Sequence, residues 1–347
     1  MLGAMETTSD ILFSTDLALA HVTLNRPRAL NALTLAMCTA MQERLDAWAA
    51  DDRIHAVLID AVPGRAFCSG GDIRAVSEWA RTDDPRAMIF FRTEYKMNAS
   101  IGRFAKPYVA LIDGIAMGGG VGISIHGSHR VATENAVFAM PETSIGFFPD
   151  VGASYFLPRC PGAIGMFLGL TSARLTAADM LYAGIATHLV ATNRIAEIVP
   201  RLAAGENVDA VLQSLQSDFG PSPLESARAR IDRVFSAPSI EAICERLESE
   251  GGWGREVLEM LAARSPTSLK LTHRELRGAL SRSLPECLAQ ELQLVARVLK
   301  GHDFHEGIRA AIVDKDNHPK WQPTRLSEIS DEEIATFFLP HISPEAV

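Results

Sequence analysis

The chain has 347 residues, a formal net charge of −9 and an apolar fraction of 47%. This length suits one large domain or two modest ones, and the apolar content allows a sizeable core, which argues against disorder. The acidic balance argues against binding to nucleic acid or to an anionic membrane, because both require a basic face.

The cysteines and the N-terminus predict a reduced, cytoplasmic protein. There is no Cys-x-x-Cys motif, and no apolar run reaches the roughly 18 residues that span a bilayer. The first ten residues, MLGAMETTSD, match neither a signal peptide nor a transit peptide, and Met5 is a candidate natural start. The cysteines are odd in number and widely spaced: Cys38, Cys68, Cys160, Cys244 and Cys287.

The first predicted elements alternate between strand and helix. Residues 17–27 alternate apolar and polar side chains up to an Asn-Arg-Pro turn, which predicts a strand. Residues 33–52 have helical spacing, and the short apolar run 55–61 predicts a buried strand. Residues 64–80 begin as a glycine-containing loop and become a helix after Asp72.

The same order recurs further along. Residues 107–120 predict a strand, a turn, glycines and then a helix; 134–142 predict a strand; and 176–190 predict a helix with a return strand. No G-x-G-x-x-G follows the first strand, which argues against a simple Rossmann alternation. Repeated strand–strand–helix order predicts stacked turns of short sheets with helices outside.

The composition changes at residues 217–223, SDFGPSP, which predicts a linker. Beyond it the chain is charged and helical, as in 284–301, and 303–323 ends in turns rich in proline and charge. We therefore expect a core over residues 1–216 and a mainly helical C-terminal region over 217–347.

Residues 116–127, AMGGGVGISIHG, place a run of glycines at the start of a predicted helix. Each glycine inside a helix costs about 1 kcal/mol relative to alanine. Free N–H groups at a helix N-terminus can hold a developing negative charge, but close packing of a helix on a strand would also require small residues. Both interpretations stay open on the glycines alone.

A second glycine pair favours the chemical interpretation. Gly70 and Gly71, in AFCSGGDI, form another junction between a loop and a helix. One N–H from each junction could converge on a single oxygen as an oxyanion hole, in which losing one donor costs about a hundredfold to a thousandfold in rate.

Four motifs in this order resemble the crotonase superfamily, the enoyl-CoA hydratase/isomerase family. The resemblance implies an α/β fold, a spiral of ββα turns with an added helical C-terminal region, that binds acyl-CoA thioesters. The motifs are NRPRALNAL (25–33), GRAFCSGGDI (64–73), GIAMGGGVG (114–122) and FAMPETSIGFFPD (138–150).

The resemblance also implies the binding residues. The N–H groups of Gly71 and Gly119, flanked by Gly70 and Gly118, would polarise the thioester carbonyl. Asn31 and Ala32 would lie near the CoA nucleotide, and Arg74 would reach a CoA phosphate. The substrate supplies CoA, and no metal or redox cofactor is implied.

The carboxylates separate two activities within the family. Hydratases carry a glutamate where this chain has Gly122, whereas their second glutamate is present as Glu142. Paired acid–base addition of water therefore lacks one partner. Residues 118–159, 265–272 and 306–321 instead resemble members that hydrolyse 3-hydroxyisobutyryl-CoA in valine breakdown.

In that branch, Glu142 would attack the thioester or activate water, and these routes stay open. Asp150 would orient Glu142, water or substrate, and Glu94, in FFRTEYKMN, would fix the 3-hydroxyl end. Carboxylates sharing an apolar pocket should have pKa values pushed apart, with one partly protonated near neutral pH.

Several of these residues also have simpler structural interpretations. Glu142 alone could be a surface residue, Asp150 a turn former, and Arg74 an exposed helical residue. Asp72 is expected to be a helix N-cap and Cys68 a packing residue. Alternative functions are an enoyl-CoA hydratase/isomerase and a non-catalytic acyl-CoA-binding protein, and a homo-oligomer is possible. The histidine pairs 126/129 and 302/305 lack further ligands for a metal.

Overall fold

The computed structural model describes residues 10–341. The candidate start at Met5 and nearly all of the N-terminal segment that was compared with signal and transit peptides lie outside the described residues. The described chain forms two compact units, each built from three separate stretches of sequence. The predicted boundary at residue 216 stays a prediction. The first unit comprises residues up to 71, 96–138 and 175–225, and the second comprises 72–95, 139–174 and 226 onwards.

A six-stranded sheet in the order β1-β2-β3-β5-β7-β9 organises the first unit. Only β1 and β2 pair antiparallel among its neighbouring described strands, and the other pairs are parallel. Every residue of β5 is buried, as expected for a parallel strand covered on both faces. The described strands are β1 Ile11–Asp16, β2 Leu19–Leu24, β3 Ala56–Ala61, β4 Ala66–Cys68, β5 Tyr108–Ile112, β6 Ile115–Met117, β7 His129–Ala132, β8 Val137–Ala139 and β9 His188–Leu189.

Strands β3 to β8 form three consecutive pairs along the chain, and the second strand of each pair belongs to a three-stranded sheet in the order β4-β6-β8. The first strands of those pairs, β3, β5 and β7, are neighbours in the six-stranded sheet. Each turn of chain therefore contributes one strand to each sheet before the next turn begins. This is the ββα spiral that the repeated strand–strand–helix order predicted.

The described helices follow from clear local signals. Thr34 caps α1 by accepting a hydrogen bond from Met37 N–H, and the carboxylate of Asp72 accepts from Ala75 N–H at the start of α2, which confirms the predicted N-cap. The helices are α1 Leu35–Ala49, α2 Ile73–Arg81, α3 Arg86–Gly102, α4 Gly119–Ile125, α5 Ala153–Phe156, α6 Ile164–Thr171, α7 Ala177–Tyr182, α8 Ile198–Ala203, α9 Val208–Leu215, α10 Pro223–Phe235, α11 Ile240–Glu248, α12 Gly251–Ala262, α13 Pro266–Gly278, α14 Leu284–Val298, α15 His302–Ile308 and α16 Asp331–Phe337.

The core of the first unit lies between the six-stranded sheet and helices α8 and α9. Leu58 and Val109 of the sheet belong to one buried cluster with Leu212 and Leu215 of α9. At about 25 cal/mol per Å² of apolar surface removed from water, such a cluster anchors these helices to the sheet.

Helices form most of the second unit. Helix α13 packs against α5, α6 and the 3₁₀ turn Glu142–Ile145, and α14 packs against α5. Gly146, which ends that turn with φ of 69°, lies so close to α15 that a Cβ atom would overlap the carbonyl of Asp303. The helices of the C-terminal region therefore brace the turn that begins at Glu142.

The predicted strands at 17–27, 55–61 and 134–142 are confirmed with shorter bounds, as are the helices at 33–52 and 284–301. Among the elements that were not predicted, two have a clear local reason. The loop predicted before Asp72 contains β4, whose three residues are too few to show a period. Strand β1 was not predicted either, because the polar run Ser14–Asp16 masks its apolar start.

Candidate active site

Two glycine turns follow neighbouring strands of the three-stranded sheet. Gly70 follows β4 with φ of 124°, and Gly118 follows β6 with φ of 49°. Only glycine adopts these backbone angles without strain. A Cβ atom on Gly70 would stand 3.8 Å from the nitrogen of Gly119, so the two turns are adjacent. Since β4 and β6 are parallel, both turns leave the same edge of the sheet.

The N–H groups that follow these glycines are the predicted donors. Gly119 is the first residue of α4, so its N–H has no carbonyl one turn earlier in the helix to bond. At the other turn, Leu33 N–H donates to the carbonyl of Gly70 at 2.8 Å, which fixes the peptide leading into Gly71. The structure thus brings Gly70, Gly71, Gly118 and Gly119 together, while their role in binding a thioester oxygen stays a prediction.

Close packing explains another glycine of the run. A Cβ atom on Gly120 would overlap the carbonyl of Cys68, so α4 packs on β4 at glycine distance. Cys68 is fully buried, in agreement with a packing role. The packing interpretation of the glycine run therefore holds at Gly120, while the donor role of Gly119 stays a prediction. Gly122, where hydratases carry a glutamate by the resemblance, is also buried in α4.

Asn31 and Ala32 belong to a tightly bonded turn of the first unit. The buried Asn31 side chain accepts from Arg26 N–H at 2.8 Å and donates to the carbonyl of Ala66 at 2.9 Å. The Arg26 guanidinium donates to the carbonyl of Ala32 at 3.0 Å. Asn31 thus ties this turn to β4, and the predicted proximity of both residues to a CoA nucleotide stays a prediction.

Arg74 lies on the exposed face of α2 in the second unit. Its side chain is 63% exposed, and its Nε lies 3.3 Å from Glu78, one turn later in the helix. Such a pair contributes little to stability, about 0.3–0.5 kcal/mol. The side chain remains accessible to a phosphate, and that role is a prediction.

Three predicted carboxylates are buried in the second unit: Glu94 on α3, Glu142 at the start of its 3₁₀ turn, and Asp150. The Tyr95 hydroxyl donates to Oδ2 of Asp150 at 2.7 Å. Oε1 of Glu94 and Oε2 of Glu142 have no hydrogen-bond partner among the described residues. Because an unpaired buried oxygen costs about 1–3 kcal/mol, these two atoms are candidates for contact with a bound ligand.

Burial dominates the electrostatics of this group. It raises the pKa of Glu94 and of Glu142 well above their usual range, and the Asp150 charge adds to both shifts. Burial raises the pKa of Asp150 to about 7, against the opposing effect of the Tyr95 hydrogen bond. The structure therefore agrees with the expectation of carboxyl groups that stay partly protonated near neutral pH.

Among the further buried acids that the sequence did not reveal are two on helices of the second unit. Glu275 on α13 and Glu291 on α14 are 1% and 0% exposed. Burial raises the pKa of Glu291 to about 8 and that of Glu275 well above its usual range. Glu291 lies between Leu288 and Leu292 on an otherwise apolar face of α14, and an acid at such a position is the available sequence signal.

Strand pairs shared between two sheets, with a helix after each pair and glycine turns at the junctions, define a crotonase-type α/β protein. The chain belongs to the enoyl-CoA hydratase/isomerase family, whose sequence model matches residues 19–338. No helix among the described residues is long and apolar enough to cross a bilayer.

Curated relatives match most of the chain. The mitochondrial 3-hydroxyisobutyryl-CoA hydrolase of Xenopus tropicalis is 47% identical, and that of Homo sapiens is 45% identical. Each match covers 91% of this chain and 85% of the relative. These relatives are named mitochondrial, so the predicted cytoplasmic location is not confirmed.

Solved structures match the fold over nearly its full length. A carnitinyl-CoA dehydratase from Mycobacterium thermoresistibile has a TM-score of 0.92 and 39% identity, covering 96% of this chain and 97% of that chain. An enoyl-CoA hydratase from Rhodobacter sphaeroides has a TM-score of 0.90 and 37% identity, covering 96% and 98%. The crotonase-type fold predicted from the motifs is confirmed.

Proposed function

We propose that the chain is an acyl-CoA thioester hydrolase that converts 3-hydroxyisobutyryl-CoA to 3-hydroxyisobutyrate and CoA, a step of valine breakdown. The observation that carries this proposal is the identity of 43–47%, over most of the chain, to relatives named 3-hydroxyisobutyryl-CoA hydrolase. The buried carboxylates support it, because they supply the groups that thioester cleavage requires.

The adjacent glycine turns supply the proposed electrophilic part of the reaction. The N–H groups of Gly71 and Gly119 would donate to the thioester oxygen as it gains negative charge. Donors fixed in the backbone need no reorganisation during reaction, and each is worth about a hundredfold to a thousandfold in rate.

Glu142 supplies the proposed nucleophilic part by one of two routes. As a nucleophile, its carboxylate attacks the carbonyl carbon, the C–S bond breaks, the CoA thiolate takes a proton, and water then cleaves the anhydride. As a general base, Glu142 takes a proton from water, whose oxygen attacks the carbonyl directly; the C–S bond then breaks and the CoA thiolate takes a proton. Single turnover in ¹⁸O-labelled water distinguishes them, because only the anhydride route can place label in Glu142.

Asp150 and Glu94 have supporting roles in this proposal. Asp150 would exchange a proton with water or with the leaving thiolate, for which a pKa of about 7 is well matched. The unpaired Oε1 of Glu94 would bond the 3-hydroxyl group of the substrate. Water is the only co-reactant, so the proposed reaction needs no metal or redox cofactor. A homo-oligomer stays a prediction.

An enoyl-CoA hydratase/isomerase is the second candidate function. The similar solved structures named carnitinyl-CoA dehydratase and enoyl-CoA hydratase favour it. Gly122 argues against it, since a glycine cannot replace a carboxylate in acid–base addition of water. The rate of crotonyl-CoA hydration, monitored as the loss of its ultraviolet absorbance, measures this activity directly.

The deciding experiment is release of free thiol from a panel of 3-hydroxyacyl-CoA esters by the parent protein and Glu142→Gln. We expect the branched four-carbon ester to be cleaved fastest and the variant to lose about a thousandfold or more in kcat. Tight binding of the esters without cleavage by the parent protein would favour a non-catalytic acyl-CoA-binding protein instead.

A further inference from the structure

The turn that follows Asp150 has an unusual backbone. Val151 has φ of 54° and Gly152 has φ of 84°, so two consecutive residues are left-handed. A β-branched residue rarely adopts positive φ, and such a conformation costs about 1–3 kcal/mol. It persists only where surrounding contacts hold it.

Glu291 supplies those contacts from α14. Its carboxylate accepts from Gly152 N–H at 2.7 Å, from Ser154 N–H at 3.1 Å and from the Ser154 hydroxyl. Three donors therefore converge on one fully buried side chain that is 137 residues away from Ser154 in sequence.

The same turn carries Asp150 at its other end. Ala153 N–H donates to the carbonyl of Asp150 at 2.9 Å, so the backbone of Asp150 is bonded into the anchored segment. The Asp150 carboxylate also accepts a hydrogen bond from the Tyr95 hydroxyl, so Asp150 is held both through its backbone and through its side chain. Displacement of the 151–154 turn would therefore move the Asp150 carboxylate.

We infer that Glu291 is a positioning residue, which anchors the turn 151–154 and thereby sets the position of the Asp150 carboxylate in the reaction. This inference rests on the proposed function, in which Asp150 takes part in thioester cleavage. The charge of Asp150 acts on four neighbouring titratable groups, Glu94, Tyr95, Glu142 and Glu275, and also on Glu291. The charge of Glu291 acts on Tyr95, Glu275 and Cys287, and Arg282 acts on Glu275.

The first test is Glu291→Gln, which keeps the shape but turns an acceptor oxygen into a donor facing N–H groups. We expect kcat for 3-hydroxyisobutyryl-CoA to fall about tenfold to a hundredfold, as for small misplacements of a reacting group, with KM changed little. Glu245→Gln, on the exposed face of α11, is the matched control and should keep parental kcat.

A double-mutant cycle separates positioning from general damage. In an Asp150→Asn background, Glu291→Gln should cost nothing further in kcat, because the residue through which it acts has already been changed. A loss of the same size in both backgrounds would overturn the inference. Ser154→Ala removes one of the three donors and is a milder second variant. We expect it to lower kcat less than Glu291→Gln does, and to cause no further loss of kcat in the Asp150→Asn background.

A readout without substrate keeps this inference separate from the proposed function. We expect amide hydrogen exchange in the segment 150–156 to accelerate in Glu291→Gln and Ser154→Ala, and exchange in α11 to stay unchanged. Unaltered exchange in 150–156 would contradict the anchoring role of Glu291 even if the protein is a hydrolase. If the parent protein cleaves no 3-hydroxyacyl-CoA, the proposed function fails while the exchange result still decides the anchoring.

Discussion

The Tyr95 hydroxyl donates a 2.7 Å hydrogen bond to Oδ2 of Asp150, and both side chains are buried. Burial alone would drive this carboxyl strongly towards its neutral form. The Tyr95 hydrogen bond opposes that effect, because it favours the ionised carboxylate, and the pKa of Asp150 is about 7. One hydroxyl thus keeps the titration of a proposed catalytic residue within the physiological range.

Tyr95→Phe should therefore shift the pH dependence of thioester cleavage. Losing a donor to the ionised form raises the pKa of Asp150, so the limb of the kcat profile that reports its ionisation moves to higher pH. A hydrogen bond to a charged group is worth about 1.5–3 kcal/mol, which corresponds to roughly one to two pH units. The pH profile of kcat from pH 5 to 9 measures this shift.

Tyr108→Phe provides the matched control. The Tyr108 hydroxyl is also buried but donates to the backbone carbonyl of Ile123 at 2.9 Å, within the first unit. Its loss should lower stability by about 1 kcal/mol without moving the pH profile. An equal displacement of the profile in both variants would contradict a specific effect of Tyr95 on Asp150.

The buried acids of the second unit also predict how stability depends on pH. Burial raises the pKa values of Glu275 and Glu291 in the folded protein, and that of Glu291 is about 8. Above about pH 4.5 the unfolded chain releases protons that the folded chain retains, so the free energy of unfolding falls as pH rises. Each such group contributes a slope of up to about 1.4 kcal/mol per pH unit until its folded pKa is passed.

Glu275→Gln removes one of these titrating groups while keeping its volume. Both oxygens of Glu275 lack partners among the described residues, so the neutral amide replaces a group that burial already disfavours as an anion. We expect the midpoint of urea unfolding to rise relative to the parent, by more at pH 8 than at pH 5.

The exposed Glu245→Gln is the control for this pH series. Its midpoint should differ from the parent by a small amount that stays constant between pH 5 and pH 8, because an exposed carboxylate is solvated in both states. A constant difference for Glu275→Gln as well would show that Glu275 is ionised in the folded protein.

Local signals were sufficient for the glycine turns and for the spiral order of strands. Gly70 and Gly118 stand at junctions where the chain requires positive φ, and that requirement is visible in short segments. Likewise, Glu142 and Asp150 follow a recognisable strand and turn. Their roles came from the resemblance, because a carboxylate after a proline has no distinguishing pattern of its own.

The partners of these carboxylates could not be predicted in the same way. Helix α14 carries two acids, of which Glu286 is exposed and Glu291 is buried, and only tertiary packing decides between them. The bonds from Gly152 and Ser154 to Glu291 join positions more than a hundred residues apart. The assignment of alternate strands to two sheets is equally non-local, since each strand pairs outside its own neighbourhood.

Gly120→Ala tests the close contact between α4 and β4. A Cβ atom at this position would overlap the backbone carbonyl of Cys68, which cannot move aside as a flexible side chain can. We expect a loss of about 1–3 kcal/mol in the free energy of unfolding, with reduced thiol release because the helix start that presents Gly119 N–H must shift. Gly252→Ala, on the exposed side of α12 with no crowding neighbour, should instead stabilise the protein by up to about 1 kcal/mol. Urea unfolding and thiol-release assays on both variants measure these effects, and parental stability of Gly120→Ala would show that α4 does not require a glycine there.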